Sequence, residues 1–216
     1  MGGMILVEGL DLAGKSTLIE GLSRHFLSLQ RQVRLANGQF CGGNPAAEVA
    51  RNLVRWDEGF SGVEAGSLFL STMLWDHRHF QPPLPGTVHL QDSCWLRTLA
   101  FEQLYGSSLL AQLMEEQGKC FPRFDFAVML TASIDERRTR LESRVQNDLH
   151  DLMAFRNPKK FLAIEARLAE LVQSWEHGVL LSTDGKSTQQ VLQEVLQSPR
   201  FVSRSEEHTS ELQSLL

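Results

Sequence analysis

Apolar residues change their spacing along the chain in an order that predicts a strand followed by a helix. Residues 4–7 form a short uninterrupted apolar run, which is typical of a strand. After a stretch with two glycines, apolar side chains recur at spacings of three and four, which predicts a helix with one buried face. These side chains are Leu18, Ile19, Leu22, Phe26 and Leu29. The start of the chain therefore predicts a strand, a turn and an amphipathic helix.

The same alternation continues to about residue 198. Strands are predicted at residues 32–36, 87–91, 124–130 and 179–182, and helices at residues 46–56, 63–77, 96–118, 157–175 and 187–197, with another beginning at Ser133. This order predicts an α/β fold, with a parallel five-stranded sheet flanked by helices on both faces. Ligands should bind at the carboxyl ends of the strands.

One helix pattern also predicts which side chains are buried. On the helix at 63–77, the side chains expected to face the core are Leu68, Met73, Leu74 and Trp75. Residues 146–158 are polar and weakly periodic, which is typical of a mobile loop.

The composition excludes several kinds of protein. The 216 residues suffice for one sizeable core, and their net charge of −5 argues against a nucleic acid polymer as partner. No apolar run approaches the length of a membrane span, so no membrane partner is expected. We expect one domain over residues 1–200. Residues 204–216 resemble the translation of a sequencing-library adapter, and we expect a non-native or disordered tail there.

Cysteines and histidines form no metal motif in the sequence. The three cysteines are odd in number and widely spaced, which favours reduced thiols and a cytoplasmic location. They are Cys41, Cys94 and Cys120. Prolines and helix geometry separate His77, His79 and His89 from one another, so we expect solvated histidines.

Residues 9–17, GLDLAGKST, carry the most specific chemistry in the chain. A glycine, four residues, a second glycine, lysine and serine form a P-loop when a strand precedes them and a helix follows. The glycines let backbone N–H groups wrap phosphate oxygens, Lys15 would reach the β- and γ-phosphates, and Ser16 would bind Mg²⁺. The predicted nucleotide-binding residues are Gly9, Leu10, Asp11, Leu12, Ala13, Gly14, Lys15, Ser16 and Thr17. The alternative is a plain glycine turn without a ligand.

Two further features suit an anionic substrate. Asp92 follows the strand at 87–91, where a P-loop protein places a carboxylate that holds Mg²⁺ through water or orients the acceptor. Arg137, Arg140 and Arg144 are spaced so that a helix would align them on one face. The alternative is a solvated face on which Glu136 pairs with Arg140.

Residues 7–17, VEGLDLAGKST, resemble the start of the thymidylate kinase family, whose P-loop has an acidic residue in the place of Asp11. Weaker motifs extend the resemblance over most of residues 4–198. The resemblance implies a P-loop NTPase fold and transfer of the γ-phosphoryl group of ATP to dTMP, with Mg²⁺, in a homodimer.

The resemblance also implies residue roles. Arg51 matches an arginine after the second strand, Arg78 the arginine that binds the substrate base, and Asp92 the aspartate of an Asp-Arg-Tyr motif. Arg140 and Arg144 take the lid-arginine positions. The candidate catalytic residues are Lys15, Arg140 and Arg144; the metal ligands are Ser16 and Asp92; the acceptor-binding residues are Asp11, Arg51, Arg78, Asp92 and Arg97. The alternative for Arg78 is a surface arginine among Asp76, His77 and His79.

Several family residues on the acceptor side are replaced. Ser93 and Cys94 stand where Asp-Arg-Tyr has arginine and tyrosine, residues 37–39 replace an Arg-Glu-Pro segment, and Leu74 stands where an aromatic residue stacks on thymine. Losing one charge-assisted contact to a phosphate costs about 1.5–3 kcal/mol. Arg97 or Arg51 are candidates to replace it. The leading hypothesis is a nucleoside monophosphate kinase; the alternatives are a kinase for a nucleoside or other small hydroxyl compound, and a non-catalytic nucleotide-binding regulatory protein.

Overall fold

A computed structural model describes residues 3–56, 62–144 and 152–201 of the chain. The strands are β1 (Gly3–Glu8), β2 (Gln32–Asn37), β3 (Thr87–Asp92), β4 (Phe126–Thr131) and β5 (Gly178–Ser182). The helices are α1 (Lys15–Ser28), α2 (Pro45–Trp56), α3 (Val63–His79), α4 (Leu96–Tyr105), α5 (Ser108–Gly118), α6 (Ile134–Glu142), α7 (Met153–Arg156), α8 (Pro158–Gln173) and α9 (Thr188–Leu196). The predicted tail at 204–216 and part of the predicted loop at 146–158 lie outside the described residues.

The five strands form one parallel sheet in the order β2-β3-β1-β4-β5. β1 lies in the centre, where Val7 pairs with Asp92 of β3 and Glu8 pairs with Met129 of β4. The winding of the sheet changes direction at β1, and such a point opens a crevice at the carboxyl ends of the strands. The predicted α/β fold and five-stranded parallel sheet are confirmed, and the architecture is that of a P-loop NTPase.

Two apolar cores lie on opposite faces of the sheet, which explains the unbroken apolar runs of the central strands. Successive side chains of a strand point to opposite faces. Ile5 and Val7 therefore pack with α1 and α9, whereas Met4 and Leu6 pack with the core that includes α4 and α8. Both layers hold β1 in place, so the loop after it begins from a rigid support.

The predicted helix at 96–118 is wrong as a single element, because it is divided into α4 and α5. Gly106 ends α4, and Ser107 caps α5 by accepting a hydrogen bond from the N–H of Leu110. Glu102 also accepts a hydrogen bond from the N–H of Ser107 at 2.8 Å. Both helices pack on the same core, so the spacing of apolar residues continues across the break. The sequence pattern therefore does not reveal that the helix is divided.

Two burial predictions also differ from the structure. Leu74 is 41% exposed, whereas its neighbour Met73 is buried as expected. His89 is fully buried rather than solvated, while His77 and His79 are exposed. Among the described residues, no helix is long and apolar enough to cross a membrane, and no group of three metal-binding side chains is found.

Candidate functional site

The loop of residues 9–14, called the phosphate loop here, connects the carboxyl end of β1 to the start of α1. Gly9 and Gly14 have φ angles of 148° and 96°, in the region that favours glycine. A Cβ atom on Gly9 would lie 2.6 Å from the carbonyl oxygen of Leu130, so the loop approaches β4 too closely for a side chain. Gly14 also leaves the first turn of α1 without a side-chain cap. The helix therefore presents N–H groups that suit an anion.

Every carbonyl oxygen from Gly9 to Ala13 lies within hydrogen-bond distance of a side-chain donor, although the single hydroxyl proton of Thr183 is shared with the carbonyl of Thr131 at 3.0 Å. The donors are Arg97 Nη2 to Gly9 at 2.9 Å, Lys15 Nζ to Leu10 at 3.3 Å, Arg137 Nη1 to Asp11 at 3.0 Å, Arg140 Nη1 to Leu12 at 2.8 Å, and Thr183 Oγ1 to Ala13 at 3.2 Å. The carbonyl and N–H groups of a peptide point in opposite directions. The N–H of Gly9 donates to Glu8, and the N–H of Ala13 donates to the carbonyl of Leu10 at 3.2 Å. With the carbonyls held by donors, the other N–H groups of the loop remain for phosphate oxygens, and the loop fits the triphosphate of a nucleotide.

Glu8 fixes the start of the phosphate loop. Its fully buried carboxylate accepts hydrogen bonds from the N–H of Gly9 at 3.0 Å and the N–H of Cys94 at 2.8 Å. Burial raises the pKa of Glu8, and the charge of Arg97 opposes the shift. Glu8 thus ties β1 to the segment after β3. We did not predict this role, although a charged residue that ends an apolar strand directly before a P-loop is an indication of it.

Four of the predicted residues lie together at the mouth of the loop. Arg97 Nη1 is 3.5 Å from Asp11 Oδ1, and Arg97 Nη2 is 3.5 Å from the hydroxyl of Ser93. Burial raises the pKa of Asp92, while Lys15 and Arg97 oppose the shift. Burial and the charge of Arg97 lower the pKa of Lys15, whereas the carboxylates of Asp11 and Asp92 raise it. Charges of both signs are therefore coupled around the point where phosphate groups would bind.

The oxygen atoms near this point suit Mg²⁺ bound together with a nucleotide. Ser16 is exposed in the first turn of α1, and Asp92 ends the strand beside β1. Mg²⁺ prefers oxygen ligands and usually keeps one or two protein ligands beside substrate phosphates and water. A hydroxyl and a carboxylate match that requirement, and the residues present fit the ion.

A cavity of about 310 Å³ borders the loop on the side of α6 and α9. It is lined by Leu12, Gly14, Thr17, Leu18, Glu136, Arg140, Ser143, Arg144, Thr183, Lys186, Thr188 and Val191. A larger cavity, about 700 Å³, lies around Trp95, Phe121 and Trp175 and includes no residue of the phosphate loop. Of these two cavities, the smaller one touches the loop, so it can take the rest of a bound nucleotide.

The predicted face of three arginines is not formed. α6 ends at Glu142, so Arg144 lies beyond the helix, and Arg137 is fully buried beneath the phosphate loop. Arg140 pairs with Glu136 at 3.0 Å, as the alternative interpretation expected, but it also reaches outside its helix. Its Nη1 donates to Leu12 and to the hydroxyl of Thr183, and its Nη2 donates to the carbonyl of Thr183. Arg140 thus joins the loop to the end of β5.

Two predicted acceptor residues lie apart from this cluster. Arg51 donates to the side chain of Gln39 at 3.4 Å, and Arg78 is exposed in the last turn of α3. Within the described residues, no hydrogen bond or ion pair joins either arginine to the phosphate loop. Of the five acceptor candidates, Asp11, Asp92 and Arg97 are brought together.

A buried polar chain supports the segment that carries Ser93. Arg34 Nε donates to His89 Nδ1 at 2.8 Å, which leaves the hydrogen of the neutral ring on Nε2, 3.0 Å from Gln91 Oε1. Gln91 in turn donates to the carbonyl of Ser93 at 2.7 Å. Burial lowers the pKa of His89 to about 4. Ser93 has a φ of 59°, which is unusual for a residue with a side chain, and these contacts help to hold it.

Solved thymidylate kinases share this architecture. The thymidylate kinase of Candida albicans matches with a TM-score of 0.67 and 18% identity, over 96% of this chain and 93% of that chain. The fold is that of a thymidylate kinase. The enzyme of Ehrlichia chaffeensis matches with a TM-score of 0.64 and 16% identity, over 90% of this chain and 97% of that chain. No protein-family model and no curated protein matches the sequence.

Proposed function

We propose that the protein is a nucleotide kinase that transfers the γ-phosphoryl group of ATP to a nucleoside monophosphate. The observation that carries the proposal is the phosphate loop with its outward carbonyls bound and Lys15, Asp11, Asp92 and Arg97 at its mouth. Phosphoryl transfer requires aligned reactants and positive charge rather than covalent help from the protein. Lys15 and Arg97 supply positive charge beside the loop, and the loop supplies a fixed place for the donor phosphates.

The donor side is assigned as follows. The loop N–H groups and Lys15 bind the phosphates, and the cavity beside Arg144 and Lys186 takes the nucleoside part of ATP. Ser16 and Asp92 hold Mg²⁺, which when bound neutralises charge on the phosphate oxygens. Arg140 is already engaged by the loop and Thr183, so its proposed role is to hold the donor site rather than to contact the moving group. Arg144 remains the candidate lid arginine.

Arg97 is the proposed ligand of the acceptor phosphate. It lies one helical turn beyond Ser93, the position at which the related motif has arginine, and its guanidinium lies beside Asp11. Its side chain is 36% exposed, so it is accessible to a ligand. Asp11 lies 3.5 Å from Nη1, which is too far for a short charge-assisted hydrogen bond, whereas a bound phosphate can approach closely enough to accept such a bond from the guanidinium. Charge on the acceptor side is thus retained at a different position of the chain.

The replacement of arginine by Ser93 favours a second candidate, a kinase for an unphosphorylated nucleoside or another small hydroxyl compound. Such an acceptor needs no arginine for a phosphate. Arg97 would then neutralise Asp11 and hold the carbonyl of Gly9, without binding a phosphate. The homodimer implied by the resemblance stays a prediction in either case.

The decisive experiment is an acceptor panel. The protein is incubated with ATP, Mg²⁺ and either nucleoside monophosphates or unphosphorylated nucleosides, and ADP release and phosphorylated product are measured. We expect turnover with at least one monophosphate and its loss in Lys15→Ala, whereas Lys159→Ala, which removes an exposed lysine of α8, should leave it unchanged. Turnover only with nucleosides would establish the second candidate. ATP binding without any product would refute both and indicate a regulatory protein.

A further inference from the structure

Arg137 is a fully buried cation at the centre of the molecule. Its side chain is 0% exposed and forms an ion pair with Glu165 of α8, whose side chain is 9% exposed. Its Nε donates to the carbonyl of Ala132 at 3.0 Å, and its guanidinium lies 4.7 Å from the ring centroid of Phe161. Its Nη1 donates to the carbonyl of Asp11 in the phosphate loop at 3.0 Å. All three nitrogens of the guanidinium therefore have acceptors.

Stability alone is a poor explanation for this arginine. Removing two charges from water is costly, and apolar residues of similar volume often replace a buried ion pair without loss of stability. An apolar side chain at position 137 would fill the space against Phe161 equally well. It could not donate a hydrogen bond to Asp11. The contact with the phosphate loop is what requires an arginine here.

The contact acts on a strained part of the loop. Leu12 has a φ of 64°, a conformation that a residue with a side chain keeps only where its surroundings impose it. The two peptides that flank Leu12 are held through their carbonyls, the first by Arg137 and the second by Arg140. Arg140 is partly exposed, so water can substitute for it, but water cannot readily reach the site of Arg137.

We infer that Arg137 is a positioning residue, which turns the carbonyl of Asp11 away from the phosphate site and so aims the N–H of Leu12 at the bound phosphates, and that Glu165 orients the guanidinium for this contact. The inference rests on the proposed function in that the loop binds phosphate. It assigns a role to α8, since Glu165 links that helix to the phosphate loop through one side chain. Glu165 falls between Phe161 and Leu168 at helical spacing, so it lies on the buried face of α8.

The test replaces Arg137 with methionine, which keeps its length and removes its donors. Arg137→Lys retains the charge, and Arg138→Met removes an exposed neighbouring arginine as the matched control. Two measurements are made: the ATP dissociation constant by calorimetry without acceptor, and the NMR shifts of the Asp11 carbonyl carbon and the loop amides. Chemical denaturation establishes that each variant is folded.

We expect Arg137→Met to weaken ATP binding about tenfold or more, since the N–H of Leu12 is no longer aimed at the phosphates and its hydrogen bond to a charged oxygen is lost. The Asp11 carbonyl and Leu12 amide resonances should move, Arg137→Lys should recover part of both effects, and Arg138→Met should show neither. Glu165→Gln should move the same resonances by a smaller amount.

Unchanged Asp11 and Leu12 resonances in a folded Arg137→Met protein would overturn the inference, and so would ATP affinity within twofold of the wild type. If the wild type binds no ATP, the proposed function fails, and the NMR shifts alone decide whether Arg137 positions the loop. If the wild type binds ATP but phosphorylates no acceptor, only the proposed kinase activity fails.

Discussion

Replacing Gly9 with alanine should damage both folding stability and nucleotide binding. The added Cβ would lie 2.6 Å from the carbonyl oxygen of Leu130 and 3.2 Å from the Cβ of Ala13. Leu130 belongs to β4 at the centre of the sheet, so its backbone cannot withdraw as a flexible side chain would. The φ of 148° at Gly9 adds a second penalty, because alanine rarely adopts it.

The magnitude follows from these two terms. A side chain forced into an unfavourable backbone region costs about 1–3 kcal/mol. Overpacking against a rigid neighbour costs about 1–3 kcal/mol. The free energy of unfolding should therefore fall by roughly 2–6 kcal/mol, unless the loop moves away from β4. Such a movement would displace the N–H groups proposed to bind phosphate, so relief of the strain would lower the affinity for ATP.

Two other glycines serve as graded controls. Gly38 has a φ of +70° but open space around its Cβ position, so Gly38→Ala should cost only the backbone term of about 1–2 kcal/mol. Gly42 has open space and no positive φ, so Gly42→Ala should be neutral or stabilise by about 0.4–1 kcal/mol. Urea denaturation followed by tryptophan fluorescence gives the stabilities, and calorimetry gives the ATP affinities. If Gly9→Ala matches Gly38→Ala in both measurements, the steric argument is refuted.

Two further predictions concern Arg97 and His89. Arg97→Ala should raise the KM for a monophosphate acceptor about 10- to 100-fold, because a charge-assisted contact to the acceptor phosphate is lost. The KM for ATP should rise by a smaller factor, since Arg97 also holds the carbonyl of Gly9 in the phosphate loop at 2.9 Å. Steady-state kinetics with each substrate varied would contradict the acceptor role if both KM values rose equally. Burial lowers the pKa of His89 from 6.5 to about 4, so between these values the unfolded chain binds a proton that the folded chain does not. The free energy of unfolding should therefore have its full value above pH 6.5 and should decline by roughly 3 kcal/mol as the pH falls toward about 4. In His89→Gln, urea titrations across this range should show a smaller decline, and an identical decline would show that other groups cause it.

Local patterns were sufficient for most of the elements. Period and capping residues placed the strands and most helix ends, such as Asn157, whose side chain accepts a hydrogen bond from Lys160 at the start of α8. The division between α4 and α5 escaped the pattern because a single glycine interrupts the backbone without changing which residues face the core. His89 was misjudged for a related reason: its partners come from other parts of the sheet, and only pairing of β2 with β3 brings Arg34 beside it.

The sequence by itself determined that a glycine-rich loop lies between a buried strand and a helix, and it predicts phosphate binding there, because that chemistry depends on residues that are neighbours in the chain. The tertiary structure alone decided how the loop is held. Arg97, Arg137, Arg140 and Thr183 reach its carbonyls from α4, α6 and the end of β5, and no spacing along the chain indicates such contacts. It also decided that Arg137 lies beneath the loop whereas Arg144 lies at the cavity beside it. Helical spacing predicts which face of a helix a side chain lies on. The contacts of that side chain depend on which loops and strands the fold brings against that face.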